Sequence, residues 1–592
     1  MTNNVGTDLM PTIQTLSNRL FIGVLIPLVY LVTGFPAEAL HIAYRVSMPE
    51  PASHYFHVEM ALTDVDRESV DVQLPAWTPG HYLILNHARN VRGFKAVANA
   101  ATLPVKKTDK QTWRIDTAGT AEMILQYRVY NHNLTGDYSF LDSTQAFING
   151  ASLFMYVVGE TSRPVTLDVK VPDGWDIMSS RGDRGQTRYA FANYDLLIDE
   201  LFQLGSFTVE SFSIANTTYR VCIVTERDRE LIPAFAEKVR VLQETAVRLF
   251  GPLDTPRYTF FFHFLPDSPD SAGMEHLHGC QLTRQHRLQE GGVNMEWTLW
   301  ITAHELAHAW NVKRLRPQKL GPFDYTAEVP SPYIWFAEGG TNYLADLVML
   351  RSGLWNRQTF LDFLAMEITK FRRSPAIYER SPEQASFDFW LYPFSGYRES
   401  DWWHLWISPY TSGELICMSM DLRLRHMTDN RVHFEDFFRA FYEKMYIEAE
   451  AESYYLPGRG YTRDDLVNLL QELTGADWNG FYHDHIATPG DIPFENYLQF
   501  VGLKLVQTEE DPTPFALFRL FSPLVDYPRD LRDVSTQMQN DPATLMALIP
   551  SGMHFHIIEM EDASPEQIQR RETWLQLGEP TTSVNWKEFV PR

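Results

Sequence analysis

The chain has 592 residues, a formal net charge of −24 and 44% hydrophobic residues. That length suits about three or four domains, and the composition excludes bulk disorder. The acidic balance argues against nucleic acid or an anionic membrane as a main partner, because phosphate recognition needs a basic surface.

In chain order, residues 20–32 form a largely apolar run preceded by Arg19 and followed by Ala37-Glu38-Ala39. This reads as a signal peptide over 1–39, with an exported (periplasmic or extracellular) mature protein that has no stable membrane insertion. The alternative is an anchor through residues 20–32, although the run is short for a span and Pro27 interrupts it. Over 40–214 the period is two. Val70-Asp71-Val72-Gln73-Leu74 and Val165-Thr166-Leu167-Asp168-Val169-Lys170-Val171 alternate apolar and polar, and Pro172-Asp173-Gly174 supplies a turn, so an antiparallel β-sandwich is predicted. Over 215–492 the pattern changes: residues 231–250 have helical spacing, 257–264 read as a buried strand, and helices dominate after Trp297. Predicted helices include 360–372, 413–427, 434–446 and 464–473. The tail, 493–592, reads as a small C-terminal domain, with a short strand over 497–505. The fold class is therefore multidomain α+β. Cys222, Cys280 and Cys417 are too scattered for a disulfide framework, lack zinc-site spacing, and read as buried small hydrophobes.

The chemistry concentrates in His304-Glu305-Leu306-Ala307-His308. On a helix the two imidazoles project one turn apart from one face and reach a single Zn2+ ion. Glu305 lies beside that face, where a carboxylate can take a proton from water. The apolar segment 297–303 lacks Pro and Gly, so a helix can run into the motif. A catalytic zinc needs a third protein ligand and an open position. Glu338, set among Trp335, Phe336 and Ala337, is the candidate, and the Pro-rich stretch at 317–332 lets its helix turn back beside the first.

The run from His304 through Trp310-Asn311-Val312-Lys313-Arg314 to Pro317 resembles the zinc helix of the glycyl aminopeptidase family, gluzincin metallopeptidases that usually carry a PDZ domain. Trp335-Phe336-Ala337-Glu338-Gly339, Ser386-Phe387-Asp388-Phe389-Trp390, Tyr410-Thr411-Ser412-Gly413 and Leu74-Pro75-Ala76-Trp77-Thr78-Pro79-Gly80-His81-Tyr82 resemble further family motifs. The resemblance implies a thermolysin-like, mainly helical catalytic domain after the β-sandwich, with a degenerate PDZ-like or different small domain in the tail. It also implies that Glu275, in Gly273-Met274-Glu275-His276, grips the substrate's free amino group beside Gly273. His276 reads as pocket wall or as a satisfied polar residue. Tyr410 would donate to the oxyanion, while Ser412 stands where the family usually has Lys. Lys313, Arg314 and Arg316 read first as structural cations at a helix C-terminus, and the aromatic segment 387–410 as core or pocket lining. The expectation is a zinc metallopeptidase acting on peptides, an aminopeptidase preferring small N-terminal residues such as Gly or Ala. The alternatives are an endopeptidase, a zinc hydrolase of non-peptide substrates, or an inert exported binding protein. Natural substrate and oligomeric state are not written in the sequence.

Overall fold

The computed structural model describes residues 40–266, 272–288, 292–391, 405–508 and 554–578. The leader over 1–39, with its alternative as an anchor at 20–32, lies outside the described residues, as do Trp402 and Trp403. No described helix is long and apolar enough to cross a membrane.

The β-rich first part contains a seven-stranded sheet in the order Arg188–Phe191, Val165–Lys170, His41–Ser47, Tyr55–Thr63, Met123–Tyr130, Val91–Ala98, Ala101–Thr102. Its long strands bury alternate residues, as the period of two requires. Two four-stranded sheets accompany it and share the apolar core that includes Tyr44, Phe56, Leu125 and Phe154. The pairing is antiparallel apart from His41–Ser47 with Val165–Lys170, which run parallel.

The catalytic part begins with a five-stranded mixed sheet. Its order is Thr208–Ile214, Thr217–Thr225, Arg257–Phe264, Gly279–Arg284, Ala272–His276, and the last of these lies at an edge. The Phe-rich strand Arg257–Phe264 is parallel to both neighbours and buried along its length, which accounts for its near-continuous apolar run. The helix Ile232–Phe250 crosses over between two parallel strands, and Phe235 packs edge-on against Phe262 and Phe264 at 4.8 and 5.3 Å. Helices follow at Gly292–Ala307, Gly340–Arg351, Arg357–Arg373, Pro409–Met427, Phe434–Tyr442 and Arg463–Thr474. All three cysteines are buried, and burial raises their thiols above the ordinary range, in keeping with an inert packing role.

Within the described residues, the tail is not an appendage. The strands Leu503–Thr508 and His554–Glu559 pair antiparallel, and the helix Pro565–Trp574 packs into the same core as the catalytic helices. A buried polar chain joins these parts. The Trp574 indole donates to the Tyr343 hydroxyl at 3.0 Å, which donates to Asp421 at 2.7 Å. Arg425 donates to Asp421 at 2.8 Å, and Arg351 donates to Glu435 at 3.1 Å and to the Trp574 carbonyl at 2.8 Å.

Candidate metal centre and active site

His304 lies in the last turn of the helix Gly292–Ala307. His308 falls just past the helix end, yet its amide still bonds the His304 carbonyl at 3.2 Å, so the one-turn spacing survives. The chain then reverses tightly. The Lys313 amide bonds the His308 carbonyl, and Val312 adopts φ = 97°, a left-handed conformation costly for a β-branched residue. Asn311 makes the reversal useful. Its carbonyl accepts from the His308 ring Nδ1 at 2.9 Å, which leaves Nε2 facing the centre. Its side-chain amide donates to the Phe336 carbonyl at 2.8 Å and to Thr341 at 3.0 Å, tying the motif helix to the segment that carries Glu338.

Glu338 sits in a π-helical turn, Trp335–Gly339, that runs directly into the helix Gly340–Arg351. Such turns widen the backbone locally and recur at functional sites. The turn crosses the helix Pro409–Met427 at two glycines. A Cβ on Gly413 would overlap the Trp335 carbonyl, and one on Gly339 would collide with Gly413 and Pro409. This close approach brings Tyr410 beside His304, with ring centroids 6.2 Å apart. Ser386 anchors the same turn by accepting from the Trp335 amide at 2.9 Å. Ser412, where the resembled family has Lys, is buried and donates to the Ser408 carbonyl at 2.8 Å.

The predicted ligands converge. Among the described residues, His304, His308 and Glu338 form one group whose ligand atoms lie within 4.8 Å of one another, and Glu275, Glu305 and His308 form a second. The two imidazole Nε2 atoms are 3.0 Å apart, and Glu338 Oε2 lies 3.3 Å from His308 Nε2 and 3.8 Å from His304 Nε2. Tetrahedral bonds of about 2.0–2.1 Å to zinc would place ligand atoms roughly 3.3 Å apart, so this donor set fits the ion. The electrostatics agree. Burial lowers His308, but Glu338 and Glu275 reverse this and push its pKa up to about 10; three buried carboxylates around two imidazoles draw positive charge. Burial also raises Glu305 well above the usual carboxylate range, opposed by His308 and reinforced by Glu275 and Glu338.

The edge strand Ala272–His276 supplies the remaining predicted residues. Gly273 and Glu275 lie on its face toward the motif helix. Gly273 has no room for a side chain, because a Cβ there would overlap the Glu305 carboxylate. His276, one residue on, points the other way, toward Asp199. Its Nδ1 bonds the Asp199 carbonyl at 2.9 Å, and the Asp199 carboxylate accepts from Lys313 at 2.6 Å and from the Leu277 amide at 2.7 Å. Lys313 thus ties the edge strand to the motif reversal. Arg314 caps the helix end at the Ala309 carbonyl and pairs with Asp254, so both cations are structural.

Sequence reasoning missed Tyr82. The N-terminal segment that carries it docks on the catalytic part: the Ala76 amide bonds the Tyr325 carbonyl at 2.8 Å and the Trp77 indole the Asp324 carbonyl at 2.9 Å. It delivers the Tyr82 hydroxyl to Glu338 Oε1 across 256 residues of sequence. Burial and the adjacent Glu338 raise the Tyr82 phenol well above its ordinary range, and the same causes act on Tyr410, so both remain donors. Gly80, at φ = 102°, backs onto Glu275; a Cβ there would lie 2.9 and 3.0 Å from its two carboxylate oxygens. Phe389 and Trp390 pack edge-on against Tyr82 at 4.7 and 5.8 Å, so part of the 387–410 aromatic segment frames the centre.

The chain is similar to known proteins. The family model of the Peptidase M61 N-terminal domain matches residues 43–206, and that of M61 glycyl aminopeptidase matches residues 297–416. Among solved structures, an aminopeptidase N family protein from Idiomarina loihiensis shares the fold at TM-score 0.72 and 24% identity, over 79% of each chain. A variant of an M1 zinc metallopeptidase from Deinococcus radiodurans aligns over 77% of this chain and 96% of its own, at TM-score 0.46 and 14% identity. No curated protein matches. Residues 43–206 and 297–416 therefore correspond, in order, to the M61 N-terminal domain and the M61 glycyl aminopeptidase domain.

Proposed function

We propose that this protein is a zinc-dependent aminopeptidase. The observation that carries the reading is the convergence of His304, His308 and Glu338, with Glu305 and Glu275 buried beside them. His304, His308 and Glu338 would hold the ion, which would supply Lewis acidity and a fixed positive charge. Glu305 takes a proton from the attacking water at its carboxylate and delivers it to the leaving amine nitrogen. Tyr410 donates its hydroxyl proton in a hydrogen bond to the oxygen on which negative charge develops. Glu275 accepts from the substrate's α-ammonium, offsetting its desolvation. This fixes the free N-terminus against the edge strand and limits cleavage to the first peptide bond. The M61 glycyl aminopeptidase match supports a preference for small N-terminal residues, and the apolar run ahead of Ala39 supports export.

The test uses purified protein on Gly-, Ala-, Leu- and Phe-initiated peptides and on the same peptides with blocked N-termini, with and without chelator. The expected result is chelator-sensitive release of the first residue from free peptides alone, fastest for Gly and Ala. Equal cleavage of blocked peptides would replace the aminopeptidase reading with an endopeptidase. Full activity in chelator, or in Glu305→Gln, would exclude the mechanism. N-terminal sequencing of secreted material checks cleavage after Ala39.

A further inference from the structure

The two oxygens of Glu338 have different surroundings. Oε2 is the atom that faces His304 and His308, at 3.8 and 3.3 Å. Oε1 accepts from the Tyr82 hydroxyl. A glutamate's terminal torsion is soft and roughly two-fold, so nothing in the side chain itself selects which oxygen meets the imidazoles or keeps the carboxylate plane fixed. Tyr82 can do so because it is itself held. Its ring is wedged by Phe389 and Trp390, and its segment is fastened on both sides. The Leu85 amide bonds the Ala76 carbonyl at 2.8 Å, Trp77 packs edge-on against Trp390 at 5.1 Å, and His81 bonds Asp137. Tyr410 lies beside His304, but the proposed reaction needs its hydroxyl at the substrate.

We propose that Tyr82 is a positioning residue for the metal centre: its hydroxyl holds Glu338 Oε1 so that Oε2 is presented to the ion, and the N-terminal domain is thereby a working part of the centre. This rests on Glu338 as a zinc ligand. Outer partners of metal ligands set ligand orientation, and their loss costs about 10–100-fold in metal affinity or activity.

The test compares full-length wild type, Tyr82→Phe and Tyr410→Phe. Zinc dissociation constants come from chelator competition, and kcat is followed as free zinc is raised. Tyr82→Phe keeps the ring packing, so circular dichroism and the melting temperature of the metal-free protein should match wild type. Its zinc affinity should fall about 10–100-fold, and excess zinc should restore most of its kcat. Tyr410→Phe should remain slow at every zinc concentration. Zinc affinity of Tyr82→Phe within roughly twofold of wild type, well short of that range, would overturn the proposal, whether or not its melting temperature had changed. Failure of the wild type to take up one zinc per chain would instead overturn the metal-centre reading on which it rests.

Discussion

Glu305 and Glu275 share one buried cluster with His308, yet the proposed reaction gives them separable tasks. Glu305→Gln should keep the zinc, since the ligands are untouched, while kcat falls by about 10²–10⁴-fold, the usual contribution of a positioned acid–base group; metal analysis beside steady-state kinetics checks both halves. Glu275→Gln removes a charged hydrogen-bond partner worth about 1.5–3 kcal/mol and should raise KM for free peptides while leaving zinc content unchanged. At this scale the sequence was informative where spacing alone defines geometry. His304, Glu305 and His308 lie within five consecutive residues, and Glu338 was marked by its apolar neighbours. Tyr82 was hidden for the opposite reason. Its signature was visible in Leu74–Tyr82 as a motif, but its partner is 256 residues away, and no local rule selects one aromatic among many for such a contact. Adjacent residues on a strand face opposite sides, so Glu275 faces the centre while His276 turns to Asp199.

At the scale of elements, the glycine crossing sets the relation between Glu338 and Tyr410. Gly413→Ala would drive a methyl into the Trp335 carbonyl. It should destabilise the protein by about 1–3 kcal/mol, as overpacking does, and lower kcat by parting the two helices; thermal melts beside kinetics check this. Helix identities followed from hydrophobic spacing, whereas their ends followed from capping that spacing does not show. Residues 360–372 proved to be the interior of Arg357–Arg373, whose first turn is polar and begins with the Asn356 side chain accepting from the Thr359 amide. Residues 413–427 extend back to Pro409 behind the Ser408 cap, and 434–446 divides into Phe434–Tyr442 and a π-helical turn. Part of the strand expected over 497–505 is instead the helix Phe494–Gln499, and the strand begins at Leu503.

At the scale of the molecule, the described tail closes the catalytic core. Trp574 is buried and bonded at its indole, so Trp574→Ala should cost about 3–5 kcal/mol, read as a lowered melting temperature or denaturant midpoint. The polar chain beneath it has its own pH signature. Burial alone would raise Glu435, but Arg351 and Arg425 override it and hold its pKa at about 2. A depressed carboxylate contributes stability that is present above its unfolded value, near 4.5, and is lost as pH falls toward 2. Glu435→Gln should therefore be destabilised by about 3–5 kcal/mol at neutral pH, because buried Arg351 loses its carboxylate and Arg425 is left with Asp421 alone. The difference in melting temperature from wild type should shrink across that acid window. Apart from Asp421 and Arg425, one turn apart on a single helix, this network was not legible beforehand, because its other contacts join distant helices and leave no periodic trace.

Tyr82, held by the first domain, donates to Glu338, and Tyr410, on a late helix, lies beside His304. During synthesis the first domain leaves the ribosome and folds well before the helix that begins at Pro409. A nascent chain stalled or clipped between these points lacks one of the two phenols. Unfinished copies thereby lack part of what surrounds Glu338 in the finished fold.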